Sequence, residues 1–311
     1  MNSKIKKKVL VIVGPTGVGK SALALNIANV LKGEIVSTDS RLLYKGMDIG
    51  TDKPSKEILS SIPHHLIDIV EPNETWTLAE FNREVEKTIE WTLKKGKLPI
   101  LVGGTGQYFR SLVEGWEIPE IEPNQEMRKA IEDWGMELGA IELHRKMSIL
   151  DGTSGESIQP QNMRRTIRAL VVIFSTGRKF SELRVRKAPI YDFKVIGISR
   201  QREELYRVID ERIDKMFEIG FISEVETLLR KGYTKDLPAM SAIGYREVMQ
   251  YLDGEITLEE AKMIMKRKTR QFVRRQANWF NKENKAIEWF EIPPDPTDAV
   301  IKSVQSWQMS K

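Results

Sequence analysis

A glycine-rich loop followed by a lysine and a serine is the first feature of this sequence that could do chemistry. Gly14, Gly19, Lys20 and Ser21 fit the spacing G-x-x-x-x-G-K-[ST] within the segment VLVIVGPTGVGKS. In such a loop, successive backbone N–H groups form a concave nest for oxyanions at a helix N-terminus, and the lysine adds a mobile positive charge. We expect a phosphate group to bind here, with Mg²⁺ on the Ser21 hydroxyl. Nothing in this arrangement requires that the phosphate belong to a nucleoside.

Two further groups of polar residues follow apolar segments of the chain. Asp39 comes after Gly33–Ser37, and Thr105 lies in the glycine-rich stretch Gly103–Gly106 that follows LPILV. Ligands of open parallel sheets bind at the carboxyl ends of the strands, so both positions are candidates for ligand contact. Each also has a structural alternative, because Asp39 is suited to a helix cap or an Asx-turn and the glycines to a simple turn.

Hydrolytic and metal chemistry find less support in the sequence. Neither Val9–Val13 nor Leu98–Val102 ends in the acidic residue that holds Mg²⁺ and orients water in an ordinary NTPase. His64 and His65 are adjacent, and adjacent residues of a strand point to opposite faces. We therefore expect these histidines to have a structural role.

A basic segment near the C-terminus indicates an anionic partner. KMIMKRKTRQFVRRQANWF has no acidic residue, and Met265, Phe272 and Trp279 recur at a spacing of seven. This pattern predicts a helix with one face packed inward and a face of uncompensated positive charge, because i,i+4 carboxylates are missing. Its cations are Lys262, Lys266, Arg267, Lys268, Arg270, Arg274 and Arg275.

A second basic cluster precedes this helix in the chain. It consists of Arg164, Arg165, Arg168, Arg178, Lys179, Arg184, Arg186 and Lys187. Two separate basic surfaces suit a polyanion such as nucleic acid better than a small metabolite.

The composition is that of a globular protein with a sizeable core. The chain has 311 residues, 41% of them hydrophobic, and 49 Lys+Arg against 44 Asp+Glu. The absence of cysteine excludes disulfides, a thiolate nucleophile and cysteine-ligated zinc. The apolar run after MNSKIKKK ends after five residues, too short for a signal peptide, and no run approaches 18 residues. We expect a soluble cytoplasmic protein.

The first 116 residues predict an α/β core with a parallel sheet of the P-loop NTPase type. Strands buried on both faces alternate with helices, and Thr77 and Glu80 form a capping box at the start of one helix. The predicted elements are strand Val9–Val13, helix Gly19–Leu31, strand Gly33–Ser37, helix Thr77–Gly96 and strand Leu98–Gly104.

An all-helical domain is predicted to interrupt this core. Residues 117–190 begin with the proline-rich linker IPEIEPN and continue with helices at about Gln125–Trp134, Ala140–Ile149 and Asn162–Thr176. Phe193–Ser199 is expected to return to the sheet as a strand, and residues 191–311 are otherwise predicted to be helical.

Several segments together resemble one family. They are GPTGVGKS, STDSRLLYKGMDIGTDKP, IPHHLIDI, VGGTGQY, PQNMRRTIRAL, ERIDKMFEIGFISEV, SAIGYREV and TRQFVRRQANWF. In order and approximate spacing they resemble the bacterial tRNA dimethylallyltransferases, and the resemblance extends from Val9 to about Phe290.

This resemblance implies a reaction and roles for individual residues. The family transfers a dimethylallyl group from dimethylallyl diphosphate to the exocyclic amine of the adenine on the 3′ side of the anticodon of tRNA. Asp39 resembles the general base, Thr105 the residue that supports the transition state from the diphosphate side, and Arg212 an arginine that reaches the diphosphate. The implied diphosphate-binding residues are Gly14, Pro15, Thr16, Gly17, Val18, Gly19, Lys20 and Ser21.

The resemblance also implies contacts with the anticodon stem-loop of tRNA. They comprise Asp39, Ser40, Arg41, Leu42, Arg128, Arg164, Arg165, Thr166, Ile167, Arg168, Ser241, Ala242, Ile243, Gly244, Tyr245, Arg246, Arg274, Arg275, Gln276, Ala277, Asn278, Trp279, Phe280 and Asn281. The expected assembly is a monomer, with Mg²⁺ as cofactor and no membrane partner.

Three positions depart from the family pattern, and two other functions stay open. Leu42 and Ser241 stand where the family commonly has glutamine, and Gln107 where leucine is frequent. A small-molecule or nucleoside kinase would share the loop and Asp39 but would not need the basic helix. A basic RNA-binding protein without catalysis would need neither Lys20 nor Asp39.

Overall fold

The computed structural model describes residues 6–118, 124–183 and 185–310. Most of the predicted linker IPEIEPN, and Arg184 of the second basic cluster, lie outside the described residues. The chain divides into two compact units, one formed by residues 1–113 with 190–311 and the other by residues 114–189. The sequence analysis placed the inserted domain at 117–190.

A parallel six-stranded sheet forms the centre of the first unit. Its strand order is β3-β2-β4-β1-β5-β6. The strands are β1 (Lys8–Val13), β2 (Gly33–Ser37), β3 (His64–His65), β4 (Leu98–Gly103), β5 (Asp192–Ser199) and β6 (Ile287–Glu291). The central strands are apolar and buried because helices cover both faces of the sheet. This confirms the predicted α/β class.

The helices of the first unit follow the strands in the chain, and those of the second unit form the insert. The first unit contains α1 (Lys20–Leu31), α2 (Lys56–Ser61), α3 (Leu78–Lys94), α4 (Gly106–Val113), α9 (Arg202–Glu218), α10 (Phe221–Arg230), α11 (Tyr245–Leu252), α12 (Leu258–Ala277) and α13 (Thr297–Met309). The insert contains α5 (Gln125–Leu138), α6 (Ala140–Leu150), α7 (Gly152–Ser157) and α8 (Met163–Thr176).

Two strands are absent from the predicted elements, the two-residue β3 (His64–His65) and β6. Residues after Ser199 were expected to be helical, but β6 pairs in parallel with β5, with Val195 opposite Ile287 and Ser199 opposite Glu291. Only Ile287 of this strand is fully buried. An edge strand that is exposed on one side lacks the continuous apolar run by which a buried strand is recognised.

Local sequence signals account well for the helix starts. Thr77 Oγ1 accepts a hydrogen bond from the Glu80 amide (3.2 Å), and a Glu80 carboxylate oxygen accepts one from the Thr77 amide (2.6 Å). This is the predicted capping box, which satisfies two N–H groups that the helix itself leaves free. In the parts of the chain that the structure describes, no helix is long and apolar enough to cross a membrane.

The insert has a small core of its own. Apolar residues of α5, α6 and α8 pack together, among them Ile131, Leu143 and Leu170. The buried Asp151 carboxylate ties α7 to the segment after α8, because it accepts hydrogen bonds from Ser154 and from both the amide and the hydroxyl of Ser181. This pattern is that of an independent helical unit.

Candidate active site

Three loops meet at the carboxyl edge of neighbouring strands. The phosphate loop follows β1, the loop that begins with Thr38 follows β2, and the loop that begins with Gly104 follows β4. Because β4 lies between β2 and β1 in the sheet, the three loops are neighbours although they are far apart in sequence. This edge is where ligands of open parallel sheets bind.

The phosphate loop depends on its glycines at specific positions. Gly14 has φ +150°, and a Cβ there would lie 2.5 Å from the carbonyl oxygen of Ile198. Gly19, with φ +105°, is the residue before α1. Any other residue at these positions would be strained, so the loop and the helix it opens require glycine.

Lys20 lies within the loop that it serves. Its ammonium donates a hydrogen bond to the Pro15 carbonyl (2.7 Å). Burial lowers the pKa of Lys20 from 10.5 to about 8; the carboxylates of Asp39 and Asp52 oppose this shift, and the guanidinium of Arg212 adds to it. An anion bound beside the ammonium would therefore offset the cost of burying its positive charge.

Arg212 reaches the phosphate loop from α9. One guanidinium nitrogen donates to a carboxylate oxygen of Asp52 (2.8 Å) and another to the Thr16 hydroxyl (3.4 Å). Its Nε is buried and has no hydrogen-bond partner among the described residues. Sequence reasoning proposed Arg212 but missed Asp52, which lies in the segment GTDKP that was used only for the resemblance.

The loop that carries Asp39 is bonded to Thr105 through the residue after Asp39. The Thr105 hydroxyl accepts a hydrogen bond from the Ser40 amide (3.2 Å), which fixes the loop after β2 to the loop after β4. An Asp39 carboxylate oxygen accepts one from the Arg41 amide (2.8 Å). The Asx-turn considered as a structural alternative is thus present, and it holds the carboxylate at the strand edge.

Gln276 connects the phosphate loop to the loop after β4. Its side-chain oxygen accepts a hydrogen bond from the Thr16 amide (3.0 Å), and its side-chain nitrogen donates to the Gly104 carbonyl (2.9 Å). The residue is only 3% exposed. The structure therefore places Gln276 inside the site, whereas the resemblance had grouped it with the tRNA contacts.

The aromatic residues that follow Gln276 pack against α4. A Cβ on Gly106 would overlap the ring of Trp279, and the guanidinium carbon of Arg110 lies over this ring, 5.1 Å from its centroid. Phe280 is 4% exposed and meets Phe109 edge to face at 5.5 Å. The segment after α12 thus closes over the glycine-rich loop.

The charges of α12 require a correction to the sequence analysis. Four of the seven cations expected to be uncompensated pair with carboxylates, most of which belong to other helices. The pairs are Lys262 with Glu259 (3.1 Å), Lys266 with Asp214 (2.7 Å), Lys268 with Glu247 (2.6 Å) and Arg270 with Asp210. Three of the four carboxylates lie on α9 or α11 across the packing interface, where the sequence of α12 does not show them, and Glu259 precedes the basic segment on α12 itself.

Three arginines of α12 remain exposed. Within residues 6–118, 124–183 and 185–310, Arg267, Arg274 and Arg275 have no carboxylate partner. Arg267 and Arg274 line a groove of about 510 Å³ beside α9, with Tyr206 on its wall. Fewer cations of α12 are therefore free of carboxylate partners than predicted. The free ones include Arg274 and Arg275, the two arginines that the resemblance selected.

The segment Ser241–Arg246 divides into exposed and buried residues. Ser241 and Arg246 are exposed, whereas the Tyr245 side chain is fully buried and its hydroxyl donates to Glu224 (2.6 Å). Glu224 also accepts hydrogen bonds from the Asp48 (2.9 Å) and Ile49 (2.6 Å) amides. Through Glu224, Tyr245 thus helps to hold the loop after β2. Because its side chain is buried, it is not available to RNA in this conformation.

The loop after β2 contacts the residues just before the same segment. Arg41 donates hydrogen bonds to the Pro238 (3.0 Å) and Ala239 (3.4 Å) carbonyls, and the Ser241 hydroxyl donates to the same Pro238 oxygen (2.6 Å). Two of the stretches proposed to contact tRNA are therefore adjacent in the fold.

Within the insert, the predicted contacts on α8 also separate by face. Arg164, Arg165 and Arg168 are exposed, while Thr166 and Ile167 face the core of the insert. Arg128 on α5 pairs with Glu132 (2.8 Å). The exposed face of α8 is therefore a basic surface on the insert itself.

Comparison with known proteins identifies the family. The family model described as IPP transferase matches residues 42–283. The chain is 44% identical to a tRNA dimethylallyltransferase of Thermomicrobium roseum over 92% of its own length and 87% of that protein. The chain belongs to the IPP transferase family. The resemblance drawn from the motifs is confirmed.

Solved structures agree with this assignment. The tRNA isopentenylpyrophosphate transferase of Bacillus halodurans superposes with a TM-score of 0.71 at 37% identity, covering 97% of this chain and 96% of that one. A eukaryotic dimethylallyltransferase acting on tRNA superposes with a TM-score of 0.80 at 27% identity, covering 96% of this chain and 78% of that one. This IPP transferase is therefore an enzyme of the prenyl-transferring type.

The three departures from the family pattern lie near the site of this IPP transferase but outside its hydrogen-bond network. Leu42 is partly buried, and its carbonyl accepts a hydrogen bond from the Asp68 amide (3.1 Å). Gln107 is exposed at the start of α4, and Ser241 is bonded to Pro238. None of these side chains bonds to Asp39 or Thr105.

The residues present suit a metal ion held mainly by phosphate oxygens better than one surrounded by protein side chains. Ser21 is exposed in the first turn of α1. Among the residues that the structure describes, no group of three or more His, Asp or Glu side chains is placed to hold a metal ion. Mg²⁺ in phosphate sites keeps several waters and takes one or two protein oxygens besides those of the phosphate, which fits a single serine hydroxyl. His64 and His65 bond instead to the Ile62 carbonyl (2.7 Å) and Glu34 (2.8 Å).

Proposed function

We propose that this IPP transferase moves a dimethylallyl group from dimethylallyl diphosphate to the N6 amine of the adenine 3′-adjacent to the anticodon of tRNA. One observation carries the proposal: a phosphate-binding loop with its lysine and an added arginine lies directly beside a carboxylate, and no water-orienting acid follows β1 or β4. The family relationship supports the same reaction.

The phosphate loop is suited to hold the leaving group. Lys20 and the loop amides are suited to bind a diphosphate, and Arg212 adds a second positive charge at the loop, where it donates to the Thr16 hydroxyl. As the allylic C–O bond breaks, the carbon becomes cationic and the diphosphate gains negative charge. Fixed positive charge placed where this negative charge develops lowers the barrier directly. Mg²⁺ bound at Ser21 would neutralise diphosphate oxygens further.

Asp39 is suited to remove the proton of the attacking amine. An adenine amine is a weak nucleophile, and it must lose a proton as the new C–N bond forms to the allylic carbon. The proton passes to the Asp39 carboxylate while the electron pair of the broken C–O bond leaves with the diphosphate. The Asx-turn to Arg41 and the Thr105–Ser40 hydrogen bond hold Asp39 at the same edge as the phosphate loop.

The exposed arginines supply the charge that tRNA binding needs. Arg267, Arg274 and Arg275 on α12 lack carboxylate partners in the described part of the chain, and α8 of the insert presents three exposed arginines of its own. Unpaired cations release counterions from the phosphate backbone on binding, which provides affinity without sequence recognition. The target base must also leave its stack, at a cost of about a few kcal/mol. We further propose that the enzyme acts as a monomer in the cytoplasm.

The reaction to exclude by experiment is ATP-dependent phosphorylation by a kinase, because a phosphate loop can also hold ATP. The sharpest test incubates the purified protein and Mg²⁺ with unmodified tRNA and dimethylallyl diphosphate, and in parallel with tRNA and ATP, followed by nucleoside mass spectrometry. An adenosine heavier by one dimethylallyl group only in the first reaction supports the proposal. No such product, together with ADP in the second reaction, favours the kinase.

A further inference from the structure

The loop that holds the diphosphate and the loop that carries Thr105 follow neighbouring strands, which pair in parallel as far as Val13 and Gly103. Beyond that pair the strands no longer set the separation of the two loops, and another contact must do so. Each loop is attached at its own strand, β1 or β4. Direct contact across the gap is provided by the side chain of Gln276, through its bonds to the Thr16 amide (3.0 Å) and the Gly104 carbonyl (2.9 Å). Both of its polar atoms are used in these two bonds.

The residues around Gln276 hold its side chain in this position. The residue is 3% exposed, and a Cβ on Gly104 would overlap its amide nitrogen, so the glycine leaves the space that the glutamine fills. Trp279 and Phe280, one turn later, pack on α4 and prevent the end of α12 from moving away. A buried amide with both groups satisfied is held rigidly, because breaking either bond would leave a desolvated polar atom.

Thr16 is a junction of this network. Its amide is engaged by Gln276, and its hydroxyl accepts a hydrogen bond from Arg212 (3.4 Å). On the other side, Thr105 follows Gly104 directly and bonds to the Ser40 amide next to Asp39 (3.2 Å). A continuous chain of contacts therefore runs from the diphosphate-binding arginine through Gln276 to the residue beside the general base.

We propose that Gln276 is a positioning residue that sets the distance between the phosphate loop and the Thr105 loop, and thereby aligns the diphosphate with the attacking amine. This inference rests on the proposed transferase function. It differs from a role in tRNA contact, since the side chain is buried and both of its polar atoms are bonded within the protein. Reactions between two held partners are sensitive to alignment, and a misplacement of about 1 Å can cost 10²-fold in rate.

The test compares two variants with a matched control. Gln276→Met keeps the length of the side chain without either hydrogen bond, and Gln276→Asn keeps both polar groups but is too short to reach both loops. Gln271→Met makes the same change at an exposed glutamine of α12. Thermal unfolding establishes that each variant folds, and the Asn variant serves if the Met variant does not.

We expect kcat to fall by about 10- to 100-fold in both Gln276 variants at saturating substrates. The Kd for an unmodified anticodon stem-loop RNA and the Kd for inorganic pyrophosphate should stay within about threefold of the wild-type values, because the groups that bind them are intact. The Gln271 variant should match the wild type in all three. Amide hydrogen exchange at Thr16 should accelerate only in the Gln276 variants.

Other results would overturn the inference. An unchanged kcat would show that the bridge does not align the reaction. A loss of RNA affinity with kcat preserved would make Gln276 an RNA contact, and a loss of pyrophosphate affinity in proportion to kcat would mean that it only maintains the shape of the phosphate loop. Wild-type protein without transferase activity would instead refute the proposed function; Thr16 exchange and pyrophosphate binding would still report on the bridge.

Discussion

Replacing Lys20 with methionine should stabilise the ligand-free protein at neutral pH. Burial lowers the pKa of Lys20 from 10.5 to about 8, so the folded state binds its proton less tightly than the unfolded chain does. Below pH 8 the lysine is charged in both states, and the net cost of burying that charge, after its attraction to Asp39 and Asp52, opposes folding. Methionine has a similar shape and carries no charge, so its burial has no such cost.

The size of this effect follows from the pKa. A shift from 10.5 to about 8 corresponds to about 3 kcal/mol of unfolding free energy below pH 8. Between pH 8 and 10.5 the unfolded chain binds more protons, so the stability of the wild type rises with pH through this window. Relative to Lys20→Met, the wild type should gain about 2 kcal/mol between pH 7 and pH 9.5.

The assay is denaturant unfolding of both proteins at a series of pH values. Taking the difference between them cancels the other titrating groups, which are common to both proteins. Inorganic pyrophosphate at about 100 times its Kd should then stabilise the wild type by about 2.7 kcal/mol and the variant far less. The lysine would thus lower stability without ligand and raise it with ligand.

A stability difference that is the same at pH 7 and pH 9.5 would refute this reasoning, because it would place the pKa of Lys20 at its ordinary value. A variant less stable than the wild type at pH 7 would also contradict it, since the charge would then contribute more than its burial costs. Lys32→Met, at an exposed lysine just after α1, is the matched control for the replacement of a lysine by methionine.

Three further expectations concern catalysis, RNA binding and the insert. Asp39→Asn keeps the oxygen that accepts from the Arg41 amide, so it should fold and bind RNA while kcat falls by about 10²- to 10⁴-fold in a single-turnover assay. Replacing Arg274 and Arg275 together with glutamine should weaken RNA binding and reduce the slope of log K against log salt by about 2 in a filter-binding titration. Burial raises the pKa of Asp151, but hydrogen bonds from Ser154 and Ser181 outweigh it and lower the pKa to about 2. Asp151→Ala removes these bonds and should therefore destabilise the insert by about 2 kcal/mol or more, measured by denaturant unfolding.

Each of these expectations has a result that contradicts it. An unchanged kcat removes Asp39 from the reaction. An unchanged salt slope means that α12 does not meet phosphate, and Lys262→Gln with Lys266→Gln, at two cations already paired to carboxylates, provides the control. For Asp151 the sign is that of a carboxylate with a lowered pKa: its stabilisation is present above pH 4 and is lost as the pH falls toward 2, so an insert equally stable at pH 3 and pH 6 would contradict it.

The local sequence determined the parts of the site that short segments can specify. The phosphate loop, the strand before it and the helix after it are predicted by the spacing of Gly14, Gly19 and Lys20, because that spacing is a property of one short segment. The Thr77–Glu80 capping box and the parallel α/β class follow for the same reason. The approach of Ile198 that excludes a side chain at position 14 is a property of the fold. The position of Asp39 after a buried strand was enough to place it at the ligand-binding edge.

Other features were decided only when distant segments packed together. The carboxylates that neutralise Lys266, Lys268 and Arg270 lie on α9 and α11, so the sequence of α12 alone overstated its free charge. β6 is a strand because β5 offers it an open edge, and its own residues are too exposed to show a periodic signal. Gln276 belongs to the active site because α12 ends between two loops that lie 172 and 260 residues away in the chain. Sequence patterns report local preferences and burial, whereas the pairing of particular charges and the bridging of particular loops depend on distances that only the folded chain defines.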